Sequence, residues 1–349
     1  MRMIRPVEIT PARLTSSNVV EGLWTAYSSG TTYALNARAA IVIGTAVTVY
    51  RSLQAGNTNH DPASSPTWWR AIGTTFTIWS AAATYAKGER VIDPSIHRVF
   101  QSLQAGNTGH ALTDPAWWQD IGPTNRYAMF DKSVGTLTTV NEALTVQLSP
   151  GGVDALAVID TTANTVTVTM VNGSETVYSA TKTTAIGGAA ISDWYAYFFE
   201  PVGKLSALSF YDLPIYPDAV ITVTMVGDDP AGAVSAGTLI VGRTLDMGVT
   251  ETGPGVGITD YSRKETDEFG VTSVVPRDWA KRMNLRTQIA TSEVDGIVRA
   301  LADVRATPVL WQGEEGFDSL TIYGFYKDFS IDLALETISY CSMTIEGLT

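Results

Sequence analysis

Two adjacent tryptophan pairs, Trp68-Trp69 and Trp117-Trp118, are the side chains of this 349-residue sequence best equipped for surface chemistry. Flat indole faces lie well against the apolar C–H faces of pyranose rings, and amides close by can serve the sugar hydroxyls. Amides stand ahead of both pairs, Gln54 and Asn57 before the first, Gln104 and Asn107 before the second, with Tyr33 and Tyr85 further upstream. A second reading uses the same residues. Neighbours on a strand point to opposite faces, so one indole of each pair belongs to a core, and the pairs then serve structure or protein docking. His60 and His110 have no clustered acids around them and read as turn hydrogen-bonders, not metal ligands.

Other chemistry is thinly supplied. There are three histidines and one cysteine, Cys341, which excludes an internal disulfide and a multi-cysteine zinc site. Cys341 lies in an alternating strand pattern and reads as a buried, inert thiol. No Gly-x-Ser-x-Gly elbow is present, and Gly253-Pro-Gly-Val-Gly257 lacks the Gly-Lys-Ser/Thr ending of a phosphate loop. Asp228-Asp229 lacks the spaced acids of a calcium loop, and Glu314-Glu315 sits between glycines as a solvated turn. No enzyme, cofactor or metal is expected. A polysaccharide-degrading enzyme stays open as an alternative, because two catalytic carboxylates need not be close in sequence.

The elements that must position the aromatic pairs come as a duplication. Ser52-Leu-Gln-Ala-Gly-Asn-Thr58 recurs unchanged as Ser102–Thr108. Val49-Tyr50 matches Val99-Phe100, Pro66–Trp69 matches Pro115–Trp118, and Thr32-Tyr33-Ala34 matches Thr84-Tyr85-Ala86. Each unit of about 45 residues is small for a freestanding core and reads as a compact, roughly three-stranded β module. The pattern Tyr85-x2-Gly88-x2-Val91, with Trp79, Phe100, Asn107, Pro115, Trp118 and Gly122, resembles the small carbohydrate-binding modules of bacterial chitinases. That resemblance implies sugar contact through Tyr33, Trp68, Trp69, Tyr85, Trp117 and Trp118, with Gln54, Asn57, Gln104 and Asn107 as polar partners. The first unit departs from it, with Asn36 in place of the turn glycine and Ala39 in place of valine. Asparagine tolerates the left-handed conformation better than most residues, so the turn is expected to survive.

Downstream the texture is β. Strands are expected at Leu144–Leu148, Ala155–Ile159, Thr165–Met170, Thr176–Tyr178, 194–199, Leu205–Leu208, Ala219–Val226 and Gly237–Leu245. Val166, Val168 and Met170 alternate with threonines, and Asn172-Gly173 is a hairpin signal. This reads as a β-sandwich or jelly roll over 123–250. The glycine-rich stretch Gly248–Gly257 reads as a hinge. After it a C-terminal α+β domain, 251–349, is expected. It comprises a strand at Arg282–Ile289, one helix at Glu293–Arg305, and strands at Val309–Gln312, Ser319–Tyr323, Phe329–Leu335 and Ile338–Ile345. Val294, Ile297, Val298, Leu301 and Val304 share one helix face, Ser292 with Asp295 suggests a capping box, and Pro308 a stop. The full expectation is a mainly β, multidomain chain: an N-terminal arm (1–25), repeat A (26–73), repeat B (74–122), the sandwich and the α+β domain.

The motifs Tyr323-Gly-Phe-Tyr-Lys-Asp-Phe329, Thr344-Ile-Glu-Gly-Leu348 and Asn125–Asp131 resemble tail proteins of bacteriophages. The resemblance implies a tail-tip or baseplate subunit, made in the bacterial cytoplasm and placed in the virion tail. Its expected partners are other tail proteins, further copies in a ring, and host surface polysaccharide. A net charge of −12 argues against nucleic acid, and no apolar run is long enough to suggest a membrane span. A glycan-binding adhesin without a ring-forming role is the alternative.

Overall fold

The computed structural model describes residues 1–22, 24–185, 194, 204–229, 232–266 and 268–348, and the chain is mainly β. The expected strand at 194–199 falls, apart from Trp194, outside the described residues.

The sandwich follows from alternation. Thr165–Asn172, Val220–Val226 and Leu144–Leu148 lie side by side, flanked by Glu175–Thr183 at one edge and Leu14–Ser17 at the other. Their valine, leucine, isoleucine and methionine residues are fully buried on one face while the intervening threonines stay wetter. That face packs on Leu156, Val158, Phe210, Leu239 and Val241 of a second sheet. Each such buried side chain contributes roughly 1.5–3 kcal/mol relative to exposure. Asn172-Gly173 makes the expected hairpin turn, with Gly173 at φ 63°.

The second sheet runs far beyond the sandwich. Its order is Ala207–Phe210, Ala155–Thr161, Val234–Asp246, Arg2–Pro6, Val309–Gln312, Thr321–Asp332, Ile338–Gly347, Trp279–Ala290 and Val249–Thr250. Two expectations change here. The N-terminal residues are not an arm: Arg2–Pro6 is a central strand, paired antiparallel with Val234–Asp246 on one side and Val309–Gln312 on the other. The glycine-rich stretch is not a hinge either. Val249–Thr250 and Gly255–Asp260 both pair with Trp279–Ala290, and a Cβ on Gly248 would lie 2.1 Å from the Gln288 carbonyl oxygen. Hydrogen bonding, which composition cannot reveal, therefore joins 123–250 to 251–349 in one sheet.

In the C-terminal half the helix spans Val294–Asp303 after a 3-10 turn at Thr291–Glu293. Ile297, Leu301 and Val304 are buried as expected, joined by Ala300, against Met3, Met283, Trp311, Cys341 and Met343 of the sheet. Val298 is 38% exposed and lies off that stripe. Glu293, not Ser292, is the N-cap, with no side-chain cap bond, and the helix ends ahead of Pro308. The strands expected at Ser319–Tyr323 and Phe329–Leu335 are one strand, Thr321–Asp332, bulged between Tyr326 and Asp328. Burial pushes the Cys341 thiol up to about 11, so it carries little thiolate at neutral pH. Among the described residues no helix is long and apolar enough to cross a membrane.

A polar latch crosses the two halves. Lys281 Nζ donates to Ser206 Oγ at 2.7 Å, Asp318 Oδ2 at 2.7 Å and the Asp318 carbonyl at 3.0 Å, and Ser206 Oγ donates to Asp318 Oδ1 at 2.8 Å. With its three protons committed, the ammonium is an ion-pair partner rather than a base for Ser206. Burial alone would raise the Asp318 carboxyl, but the Lys281 and Ser206 hydrogen bonds outweigh it and hold it below the ordinary value. A depressed folded pKa stabilises above the unfolded value and is lost as pH falls through the folded one. The stability difference between wild type and Asp318→Asn is therefore expected to hold at neutral pH and to close below about pH 4. Urea midpoints measured across that range check it.

Candidate functional site

The duplicated modules are the candidate site, and each is a three-stranded sheet: Arg38–Ile43, Ala46–Ser52 and Trp69–Phe76 in repeat A, Arg90–Asp93, Arg98–Ser102 and Trp118–Pro123 in repeat B. The seven-residue identity builds the same turn twice. Asn57 Nδ2 donates to Ser52 Oγ at 2.9 Å and to the Trp68 carbonyl at 3.3 Å; Asn107 does the same to Ser102 at 3.1 Å and Trp117 at 3.3 Å. Gln54 Nε2 donates to the Thr67 carbonyl at 3.0 Å, and Gln104 Nε2 to that of Ala116 at 2.9 Å. The main chains of Tyr33 and Tyr85 bridge to Asn57 and Asn107. Both tyrosine hydroxyls accept a backbone N–H five residues upstream, from Ser28 and Ser80.

The tryptophan pairs split in the same way in both copies. Trp69 and Trp118 are core: their Nε1–H groups donate to the His60 and His110 carbonyls at 2.8 and 3.0 Å. Tyr33 meets Trp69 edge-on at 4.9 Å, and Tyr85 meets Trp118 at 5.2 Å. This corrects the expectation that Tyr33, Trp69, Tyr85 and Trp118 stack on a sugar, because their faces are taken up by one another and by the module core. Asn57 and Asn107 are likewise buried and hold the turn, so their donors are spent internally. Gln54 and Gln104 remain exposed.

What remains outward is Trp68 and Trp117, each half-buried and each covered on one face by a histidine ring. His60 stacks on Trp68 at 4.0 Å and 12°, and His110 on Trp117 at 3.8 Å and 10°. The histidines therefore do more than the turn role expected of them: the backbone accepts a bond while the ring extends the indole into a two-ring stack. Their recurrence beside both tryptophan pairs was the signal available in the sequence.

The two departures of repeat A are absorbed locally. Asn36 takes φ 66°, where Gly88 takes 89°, and each donates its N–H to the matching serine carbonyl, Ser52 or Ser102. A non-glycine residue without an Asn-type side chain costs about 1–2 kcal/mol in this conformation. Asn36→Ala is thus expected to destabilise repeat A by about 1 kcal/mol and Asn36→Gly to be neutral or slightly stabilising, read from urea midpoints. Ala39 replaces the buried Val91 and packs in a cluster with Tyr33 and Trp69, with Tyr27 and Tyr50 alongside.

Both modules are mounted on the body by carboxylates that no local pattern announced. Glu142 takes Arg51 at 2.5 Å and Arg38 at 3.9 Å, while Asn141 bonds the backbone of Ala71 and Ile72. Repeat B docks on Glu21, whose side chain is 3% exposed and contacts His97 Nδ1 at 3.0 Å, Arg126 at 3.3 Å and the Thr124 hydroxyl. His97 also stacks on Tyr127 at 3.8 Å; burial, followed by the Glu21 charge, raises the Tyr127 phenol above its ordinary value. No protein-family model matches the chain, and no curated protein is similar to it.

Proposed function

We propose that the protein is a structural subunit of a bacteriophage tail tip or baseplate that acts by assembling into a symmetric ring with its aromatic modules on display. The observation that carries this reading is a long β-ribbon. Gly255–Asp260 pairs with the start of Trp279–Ala290, and beyond it Arg263–Thr266 pairs with Thr272–Val275, all eight residues of that outer part being exposed. A two-stranded ribbon alone in water is marginally stable, and monomers seldom leave large apolar patches uncovered. This ribbon carries Val256, Ile258, Val274, Val275 and Trp279 on its surface, with Ile258 at 61% and Val274 at 69% exposure. Among the described residues Gly255–Asp260 pairs on one side only, leaving an edge without proline or lysine, the kind of edge that pairs with another chain. A head-to-tail contact of this sort closes into a ring when its rotation allows.

Purified virions are expected to contain the protein in fixed stoichiometry, and the isolated protein to form closed rings in electron micrographs. Ile258→Asp with Val274→Asp is expected to give monomers of unchanged circular dichroism. A wild-type protein that is strictly monomeric and absent from virions overturns the reading. The half-exposed, histidine-stacked Trp68 and Trp117 support a second role on the same particle, contact with host surface glycan. Tryptophan fluorescence titrated with chitin-type oligosaccharides and bacterial polysaccharides tests it, with Trp117→Ala as the control.

A further inference from the structure

Resting on the ring-forming reading above, we infer that the outer ribbon of one copy docks in a pocket of the next, Lys264 pairing with Asp160 and Val274 lying on the pocket's apolar wall. The long sheet is apolar on both faces. Leu156 and Val241 serve the sandwich core and Met3 and Trp311 the helix, while their chain neighbours Ala155, Ala157, Ile240, Ile4 and Leu310 cluster on the opposite face. Ile159 and Tyr323 extend that third cluster and, with Val134, Ala207 and Trp279, line a pocket of about 300 Å³. Val134 is 39% and Trp279 51% exposed, so this wall faces solvent. The volume is at the low end of small-ligand pockets, roughly 300–1,000 Å³, and suits one or two side chains.

Two charged residues line the pocket, Asp160 and Lys281. The Lys281 ammonium is spent on Ser206 and Asp318. The Asp160 carboxylate lies over Gly237, another residue of the lining, is exposed, and has no hydrogen bond or ion pair among the described residues. An apolar wall with one unspent carboxylate at its lip calls for an apolar side chain beside a cation.

The ribbon presents that combination. Lys264 and Val274 are direct cross-strand partners and so share a face. Arg263, on the other face with Val275, is paired with Glu265 at 3.3 Å, whereas the Lys264 ammonium has no partner among the described residues. All eight residues of the outer ribbon are exposed, so ribbon and pocket do not meet within one copy. The donating and receiving surfaces differ, which makes the contact head-to-tail, the type that closes into a ring.

Sedimentation of the full-length protein over a range of concentrations tests the contact through Asp160→Lys, Lys264→Asp and the two together. Each single charge reversal is expected to raise the concentration for half-assembly about tenfold or more, and the double exchange to restore it to within about threefold of wild type. Asp160→Asn, which keeps a side chain suited to the left-handed φ of 53° at this position, is expected to weaken assembly with unchanged circular dichroism. Rings that form equally well in both single variants, or a double exchange no better than the singles, overturn this contact and leave the ring standing. A wild-type protein that stays monomeric at every concentration overturns the ring and the contact together.

Discussion

Trp118→Ala is expected to unfold repeat B while the sandwich and the helix-backed sheet stay folded. Trp118 is 3% exposed and packs with Tyr85, Val91 and Phe100, with Trp79, Leu112 and Trp117 at the margin. Removing a buried tryptophan side chain costs about 3–5 kcal/mol, and here the bond to the His110 carbonyl goes with it. A module this small buries too little apolar surface to absorb such a loss. Limited proteolysis should therefore cut within 77–122 and leave the remainder intact, and urea unfolding should gain an early transition. A single transition at the wild-type midpoint would show that the module core lies elsewhere. Trp69→Ala should behave alike in repeat A, where the same bond runs to His60.

Gly242→Ala should damage the whole body instead. A Cβ at this position would lie 1.9 Å from the Arg5 carbonyl oxygen and 2.7 Å from its carbonyl carbon. Both are backbone atoms of the paired strand, so no rotamer change relieves the contact. The strand Arg2–Pro6 must move away, and it is the strand that joins the two halves of the long sheet. A loss above about 3 kcal/mol, with a fall in soluble yield, is expected, and urea midpoints measure it. Gly296→Ala is the contrasting substitution. Nothing lies within 4 Å of its Cβ, and it sits inside the helix, so a gain of about 0.5–1 kcal/mol is expected.

These two positions show what kind of information each level holds. The role of Trp118 was half legible, since adjacent tryptophans must face opposite ways and one of each pair had to be core. Which one is buried depends on the hydrogen bond to the residue-110 carbonyl, a contact across a turn that no periodicity encodes. Gly242 gave no signal at all, because its crowding comes from a strand at the other end of the sequence, across the pair Pro6↔Gly242. The same holds for Glu21, His97 and Arg126, which are unremarkable as charges along the chain and meet only when repeat B docks.

Local alternation determined the strands of the sandwich, the Asn172-Gly173 hairpin, the apolar stripe of the helix and the duplication, because each arises from side chains a few residues apart or from direct identity. Only the tertiary structure decided that the amino terminus is a central strand, that two expected strands are one, and that Tyr33, Trp69, Tyr85 and Trp118 turn inward. Those outcomes depend on backbone groups finding partners far along the chain, and a backbone N–H or C=O is the same group whichever residue bears it.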